Sequence, residues 1–209
     1  MRLTWLGPAA GYLIVVVALM PYSAPLPSML PILGIGSLLV GAWVSVTTID
    51  GDDPSQKSVV ALASGGRVRA RAGEALASFL FVSGLSVLGL TAAFVRASPA
   101  PTPHAIVPQA SGCLLALASS ALVGVALGYV GAWPVLQRTP LTLGVVFLAA
   151  VALIIVPMSP MNTLLMRVDD HVDLLGVVAA SAGMLLIAAA CFGVGSLLAV
   201  RRWRLTSPS

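Results

Sequence analysis

The sequence predicts an all-α membrane protein that crosses a bilayer about six times, and three observations support this prediction. Of its 209 residues, 58% are hydrophobic and only 9% are charged, whereas a soluble domain carries roughly 25% charged residues. Apolar stretches of about 20 residues, enough to cross the hydrocarbon, recur along the chain. Basic residues gather beside the ends of these stretches, where they determine topology. We therefore expect a single transmembrane domain over residues 1–209.

Six apolar stretches supply the predicted spans, and polar or proline-rich turns separate them. The first stretch could be mistaken for a signal peptide, but proline follows Ala24 directly and no small-residue cleavage site is evident, so we expect a retained helix. The last stretch has 27 residues, more than one straight crossing requires, and part of it could form a short interfacial or re-entrant helix. The predicted spans are about 5–20, 29–48, 75–95, 111–136, 141–156 and 174–200.

Charged and proline-rich segments mark the connections between these spans. The longest charged connection opens at Asp50, the closely spaced prolines of 96–104 predict a solvent-exposed loop, and a tight turn covers 137–140. With six spans, nine of the eleven basic residues fall on one side, which by the positive-inside rule is the cytoplasm. Both termini are therefore predicted to be cytoplasmic. The nine residues are Arg2, Lys57, Arg67, Arg69, Arg71, Arg138, Arg201, Arg202 and Arg204.

The spans offer little for covalent chemistry or for ion coupling. No predicted span carries an acidic or basic residue well inside it, although an ion-coupled carrier normally needs one. Glu74 is the nearest, one helical turn after Arg71, where an interfacial ion pair is the simpler interpretation. The sequence has no GxSxG, HExxH or GxxxxGK[ST] pattern, so any ATP hydrolysis would occur on another chain. Cys113 and Cys191 lie inside apolar spans, without the spacing of metal ligands.

The acidic segment 169–173 supports a competing hypothesis. Asp169, Asp170 and Asp173 form a DDxxD pattern, which on a helix can bring carboxylates together on Mg²⁺ and so hold a diphosphate. A membrane-embedded, metal-dependent transferase is therefore an alternative. The chain lacks a second acidic motif on that side, and carboxylates near the start of the final helix need no metal. We favour the interpretation in which these carboxylates only begin the final helix, and we predict no metal site and no catalytic residue.

A short cytoplasmic helix is predicted between the second and third spans. Asp53 is a suitable N-cap, Pro54 suits the first helical position and Gln56 occupies the capping-box position. The helix is expected to end at Ala63, because Gly65 and the glycine after it favour a helix end. The remaining predicted contact residues, which give the helix its charge and its apolar surface, are Lys57, Val59, Val60 and Leu62.

The order of segments DPSQK (53–57), GGRVR (65–69) and AGE (72–74) resembles the coupling-helix region of the membrane subunits of type-two ABC exporters. The resemblance covers most of the chain as topology and only 50–74 as residues. It implies a half-size permease that pairs with a second permease, the same or homologous, and docks its short helix on a separate ATP-binding subunit that holds ATP and Mg. Arg67, Arg69 and Arg71 would anchor the loop at the cytoplasmic face.

Other interpretations of the short helix and of the basic charge are less specific. The apolar surface of the helix could instead lie on the membrane interface or on a neighbouring helix, and the chain could be an assembly subunit that transports nothing. A formal net charge of +4 can indicate nucleic acid binding, but the basic residues here follow the spans and no aromatic-basic surface accompanies them. The predicted location is the prokaryotic cell membrane, with lipid around the spans.

Overall fold

The computed structural model describes residues 6–50, 54–98, 103–132, 139–155 and 174–206. These residues form α-helices joined by turns, and no β-strand occurs among them. The all-helical class is therefore confirmed. In chain order the helices are α1 (Leu6–Leu19), α2 (Leu26–Asp50), α3 (Pro54–Ala63), α4 (Arg67–Arg96), α5 (Pro103–Gly131), α6 (Thr139–Ile155) and α7 (Leu174–Thr206).

Four of these helices are long and apolar enough to cross a membrane: α2, α4, α5 and α7. They correspond to the second, third, fourth and sixth predicted spans. The first and fifth predicted spans are also apolar helices, but α1 has 14 residues and α6 has 17. At about 1.5 Å per residue, these described lengths are below the roughly 30 Å of hydrocarbon, and both helices adjoin residues outside the described ranges. The structure thus supports a helical membrane protein with at least four candidate spans.

Several helices begin or continue where the sequence predicted a connection. α4 begins at Arg67 and not near 75, because arginine and alanine favour helix, so the basic cluster forms its first turns. α5 begins at Pro103 and not near 111. Proline suits a first turn, and Pro108 inside α5 is of a kind that membrane helices tolerate. α7 is one unbroken helix of 33 residues, without a break that would separate a short interfacial or re-entrant helix from the span.

α2 and α5 form the centre of the bundle. α2 contacts α1, α4, α5 and α6, while α5 contacts α2, α4, α6 and α7. Their spanning segments are 72% and 67% buried, compared with 39% for α4 and 22% for α7. The apolar side chains that α4 and α7 leave exposed are therefore available to lipid.

Small residues allow α2 and α5 to approach closely. A Cβ atom on Gly124 would overlap the backbone of Leu38, and one on Gly128 would lie 2.5 Å from the carbonyl oxygen of Ala42. From the other side, a Cβ on Gly41 would lie 2.9 Å from the carbonyl oxygen of Ala121. Close backbone packing through glycine is a common way to join helices in lipid, where dispersion and not water drives association.

Contacts between the helices define two opposite ends of the bundle. A cluster at one end joins Ile49 of α2, Ala75 of α4, Tyr129 of α5 and Phe192 of α7. We call this the α3 end, because α2 leads into α3 here and α4 starts from it. At the opposite end, the backbone N–H of Ser98 donates to the carbonyl of Ala24 over 3.1 Å, which ties the end of α4 to the turn between α1 and α2.

Candidate functional site

The predicted short helix is present as α3, and its end has a defined geometry. Gly65 has φ 75°, a left-handed conformation that glycine adopts without strain. The N–H of Gly66 donates to Ala61 over 2.8 Å and the N–H of Gly65 donates to Leu62 over 3.2 Å. This pair of bonds is the Schellman motif, which satisfies the last carbonyls of a helix. The prediction that the two glycines end the helix is confirmed.

α3 packs one side against α4 and leaves its apolar side uncovered. Ala61 is 7% exposed, whereas Val59 is 65%, Val60 45% and Leu62 83% exposed. The three predicted apolar contact residues therefore have no covering helix in the described part of the chain. This excludes, within that part, the interpretation in which a neighbouring helix buries them. The membrane interface and a partner protein remain.

The polar residues predicted for this site are described to different extents. Gln56 is exposed on α3. Pro54 and Lys57 belong to the helix backbone, but their side chains, and the whole of Asp53, lie outside the described residues. The predicted N-cap bond of Asp53 is therefore neither supported nor contradicted.

The three predicted anchor arginines differ in their surroundings. Arg69 is exposed, and the side chain of Arg67 lies outside the described part. Arg71 is only 7% exposed, and its guanidinium carbon lies 5.6 Å from the centre of the Tyr129 ring on α5. Its burial distinguishes Arg71 from an arginine that anchors a helix at the membrane surface. Arginine is almost never fully buried unless it makes specific contacts.

Tyr129 in turn contacts α7 at three positions. Its hydroxyl lies 3.2 Å from the hydroxyl of Ser196, and its ring meets Phe192 edge to face at 5.0 Å between centroids. A Cβ on Gly195 would lie 2.8 Å from the ring, so only glycine leaves room for it. Sequence reasoning did not identify Tyr129 or its α7 partners. The only available signal was an isolated tyrosine near the end of an apolar span.

A second polar group is buried between α1, α2 and α4. The hydroxyls of Ser37 and Ser86 lie 2.8 Å apart, and each also donates to a carbonyl one turn earlier in its own helix. Tyr12 lies next to them and is 2% exposed. Its ring fits against Gly36, where a Cβ would lie 3.0 Å away, and its hydroxyl fits against Gly89. This arrangement holds α1 against the bundle.

An apolar cleft of about 650 Å³ lies between α1, α2 and α6. Such a volume is within the usual range for ligand sites, roughly 300–1,000 Å³. Its lining extends from Pro8 to Leu19 along α1 and from Ile32 to Trp43 along α2, with Phe147 on α6. Among the described residues that line the cleft there is no cluster of polar side chains that could carry chemistry.

The described residues contain no group of three or more histidine, cysteine, aspartate or glutamate side chains that could hold a metal. Cys113 is buried and Cys191 half-buried, and both are free thiols. The acidic segment with Asp169, Asp170 and Asp173 lies outside the described residues, so the metal-dependent alternative is not tested by this geometry.

Comparison of the chain with protein-family models, with curated proteins and with solved structures gave no match.

Proposed function

We propose that this chain is the permease subunit of an ATP-driven exporter of the type-two ABC class. In this proposal α1 and α6 also cross the cell membrane, which gives six spans with both termini in the cytoplasm. The chain pairs with a second permease subunit and with a separate ATP-binding subunit, which holds ATP and Mg. The observation that carries the proposal is the uncovered apolar face of α3.

The exposure of this face requires an explanation. Burying a side chain such as valine or leucine is worth about 1.5–3 kcal/mol, and α3 leaves Val59, Val60 and Leu62 uncovered in the described part of the chain. A helix of ten residues is marginal without tertiary contacts. An apolar helix face of this kind fits a groove on a partner protein. Its place between two spanning helices, with a rigid glycine end, suits a contact that transmits movement.

The packing of the bundle favours a path between two copies over a path through one. α2 and α5 approach to backbone contact at Gly41, Gly124 and Gly128, which leaves no space at the centre of the described helices. In the proposed mechanism, ATP-driven closure of the partner subunits displaces α3 and shifts which side of the permease dimer is open.

The direct test is to purify the protein in mild detergent from its host and to identify bound proteins by mass spectrometry. A Val59→Lys, Leu62→Lys double variant should lose the ATP-binding subunit, because two charges would enter an apolar groove. A Val59→Glu, Leu62→Glu variant should lose it as well. If α3 instead lay on an anionic membrane surface, the lysine variant would keep its contact with the membrane and the glutamate variant would lose it, since basic residues are attracted to that surface.

The matched control places the same charges at the other end of the bundle. Val95 and Val107 are 82% and 74% exposed, similar to the α3 residues, and belong to α4 and α5. A Val95→Lys, Val107→Lys variant should retain the ATP-binding subunit. Recovery of a protein with a phosphate-binding loop from wild type and control, and its loss from both α3 variants, supports the proposal. Absence of any such protein from the wild type contradicts it.

A further inference from the structure

We infer that Arg71 and Tyr129 are positioning residues that transmit a displacement of α3 to α7. The inference rests on the proposed function, because it specifies how the docking contact on α3 would reach the rest of the permease. It concerns the α3 end, where α4, α5 and α7 meet.

The first step of the transmission is the short connection from α3 to Arg71. α3 ends at Ala63 and α4 begins at Arg67, and the intervening turn is held by the Schellman bonds of Gly65 and Gly66. The N–H of Ala70 also donates to the carbonyl of Gly66 over 3.1 Å. Every residue between the two helices is thus hydrogen-bonded to one of them. A force on α3 therefore acts on the first turns of α4.

The second step is the contact between Arg71 and the Tyr129 ring. Arg71 is the fifth residue of α4, and its side chain points into the bundle, where it is 7% exposed. A guanidinium within about 6 Å of an aromatic centroid makes a cation–π interaction that strengthens when water is excluded. Movement of α4 at this level therefore changes the position of Tyr129, or else breaks the contact.

The third step is the attachment of Tyr129 to α7. Three residues of α7 contact the ring or the hydroxyl of Tyr129: Phe192, Gly195 and Ser196. They lie within about one and a half turns of α7 and on one face of this helix. Tyr129 is thus held between Arg71 on one helix and three residues on another. α7 packs along α5, the helix that carries Tyr129, so a displacement of Tyr129 acts on the helix that holds α7 in the bundle.

The chain offers a matched control on the same helix. Arg96, at the other end of α4, lies with its guanidinium carbon 4.5 Å from the centre of the Tyr22 ring. It also donates to the carbonyl of Val17 over 3.2 Å and to the Tyr22 hydroxyl over 3.3 Å. This contact has the same chemistry as that of Arg71, but it joins α4 to α1 and the following turn and not to α7.

The test is hydrogen–deuterium exchange on the complex of the chain with its ATP-binding subunit in nanodiscs, with and without ATP. In the wild type, ATP should change exchange in α3 and in the 190–200 segment of α7. Arg71→Gln or Tyr129→Leu should retain the change in α3 and lose the change in α7. Arg71→Lys, which keeps the cation, should restore part of it. Arg96→Gln should leave both changes as in the wild type.

Two further results decide the inference. Tyr129→Phe keeps the ring on Arg71 but removes the bond to Ser196, so it should weaken the α7 response and stay folded even if Tyr129→Leu does not. The inference is overturned if α3 responds to ATP while α7 does not, or if the α7 response survives Arg71→Gln. If no ATP-binding subunit associates, or α3 itself does not respond, the proposed function fails and this inference fails with it.

Discussion

At the scale of single residues, the centre of the bundle depends on glycines that no other residue can replace. Gly124 and Gly128 face α2, where an added Cβ would meet backbone atoms that cannot move without separating the helices. Gly193 and Gly195 are also close in the sequence, yet a Cβ on Gly193 would meet no atom within 4 Å. Residues two apart point to nearly opposite sides of a helix, whereas residues four apart, such as Gly124 and Gly128, share one face.

We expect Gly124→Ala to destabilise the protein, and Gly193→Ala to leave its stability unchanged or to raise it by up to about 1 kcal/mol. Overpacking a tight contact costs about 1–3 kcal/mol and sometimes more, while alanine in a helix is about 1 kcal/mol more favourable than glycine. Thermal unfolding in the same detergent would show a lower midpoint for the first variant only. Equal midpoints for the two variants would mean that α2 and α5 do not pack at Gly124.

The burial of Arg71 could not be predicted from its neighbours in the sequence. Arg67, Arg69 and Arg71 look equivalent in the sequence, as a basic cluster before a span. Arg69 and Arg71 lie on different sides of α4, because Arg69 is exposed whereas Arg71 faces Tyr129. That contact joins residues far apart in the chain, so no local pattern could predict it.

At the scale of elements, α3 is the helix that the sequence predicted best. Its start at Pro54 and its end before Gly65 followed from local rules of capping and left-handed backbone. The apolar stretches likewise predicted where the spans lie. α4 and α5 each begin eight residues before the predicted start of their span, because charged and proline-rich segments beside a span are compatible with helix.

We expect Gly65→Ala to loosen the end of α3, because a left-handed conformation costs a residue with a Cβ about 1–2 kcal/mol. Gly65→Asn should be milder, since asparagine visits this conformation more readily. Exchange of the amide hydrogens over 61–66 would be faster in the alanine variant than in the asparagine variant. Wild-type exchange in both would indicate that the Schellman end does not stabilise α3.

At the scale of the whole molecule, hydrophobicity predicted membrane insertion but not arrangement. α7 is at least as hydrophobic as α2, yet 22% of its spanning segment is buried compared with 72% for α2. Lipid and the protein interior are equally apolar, so the composition of a helix does not tell which of its faces contacts lipid and which contacts protein. The order of the helices around α2 and α5 therefore had to come from the structure.

The orientation of the molecule can be tested with single cysteines in a Cys113→Ala, Cys191→Ala background. Ser98 and Gln56 are both exposed, at opposite ends of the bundle. In the proposed topology, Ser98→Cys reacts with an impermeant maleimide on intact cells, whereas Gln56→Cys reacts only after permeabilisation. The reverse pattern would place α3 outside the cell, where no ATP-binding subunit could reach it.

The same background tests whether α6 crosses the membrane. Gln137 precedes α6, and Asn162 lies between α6 and α7 in the sequence. In the six-span topology Asn162→Cys is labelled from outside and Gln137→Cys is not. If both positions were labelled from the same side, α6 would not be a span and the count would fall below six.

The length of α7 also bears on how the proposed ATP-binding subunit would approach α3. α5 ends two residues after Tyr129, at Gly131, whereas α7 continues from Ser196, which contacts Tyr129, to Thr206. Those ten further residues add about 15 Å of helix at the α3 end, and three of them are arginines. In the proposed complex, a subunit that docks on α3 would therefore also meet this part of α7, so the two proteins would share a second contact beside the α3 groove.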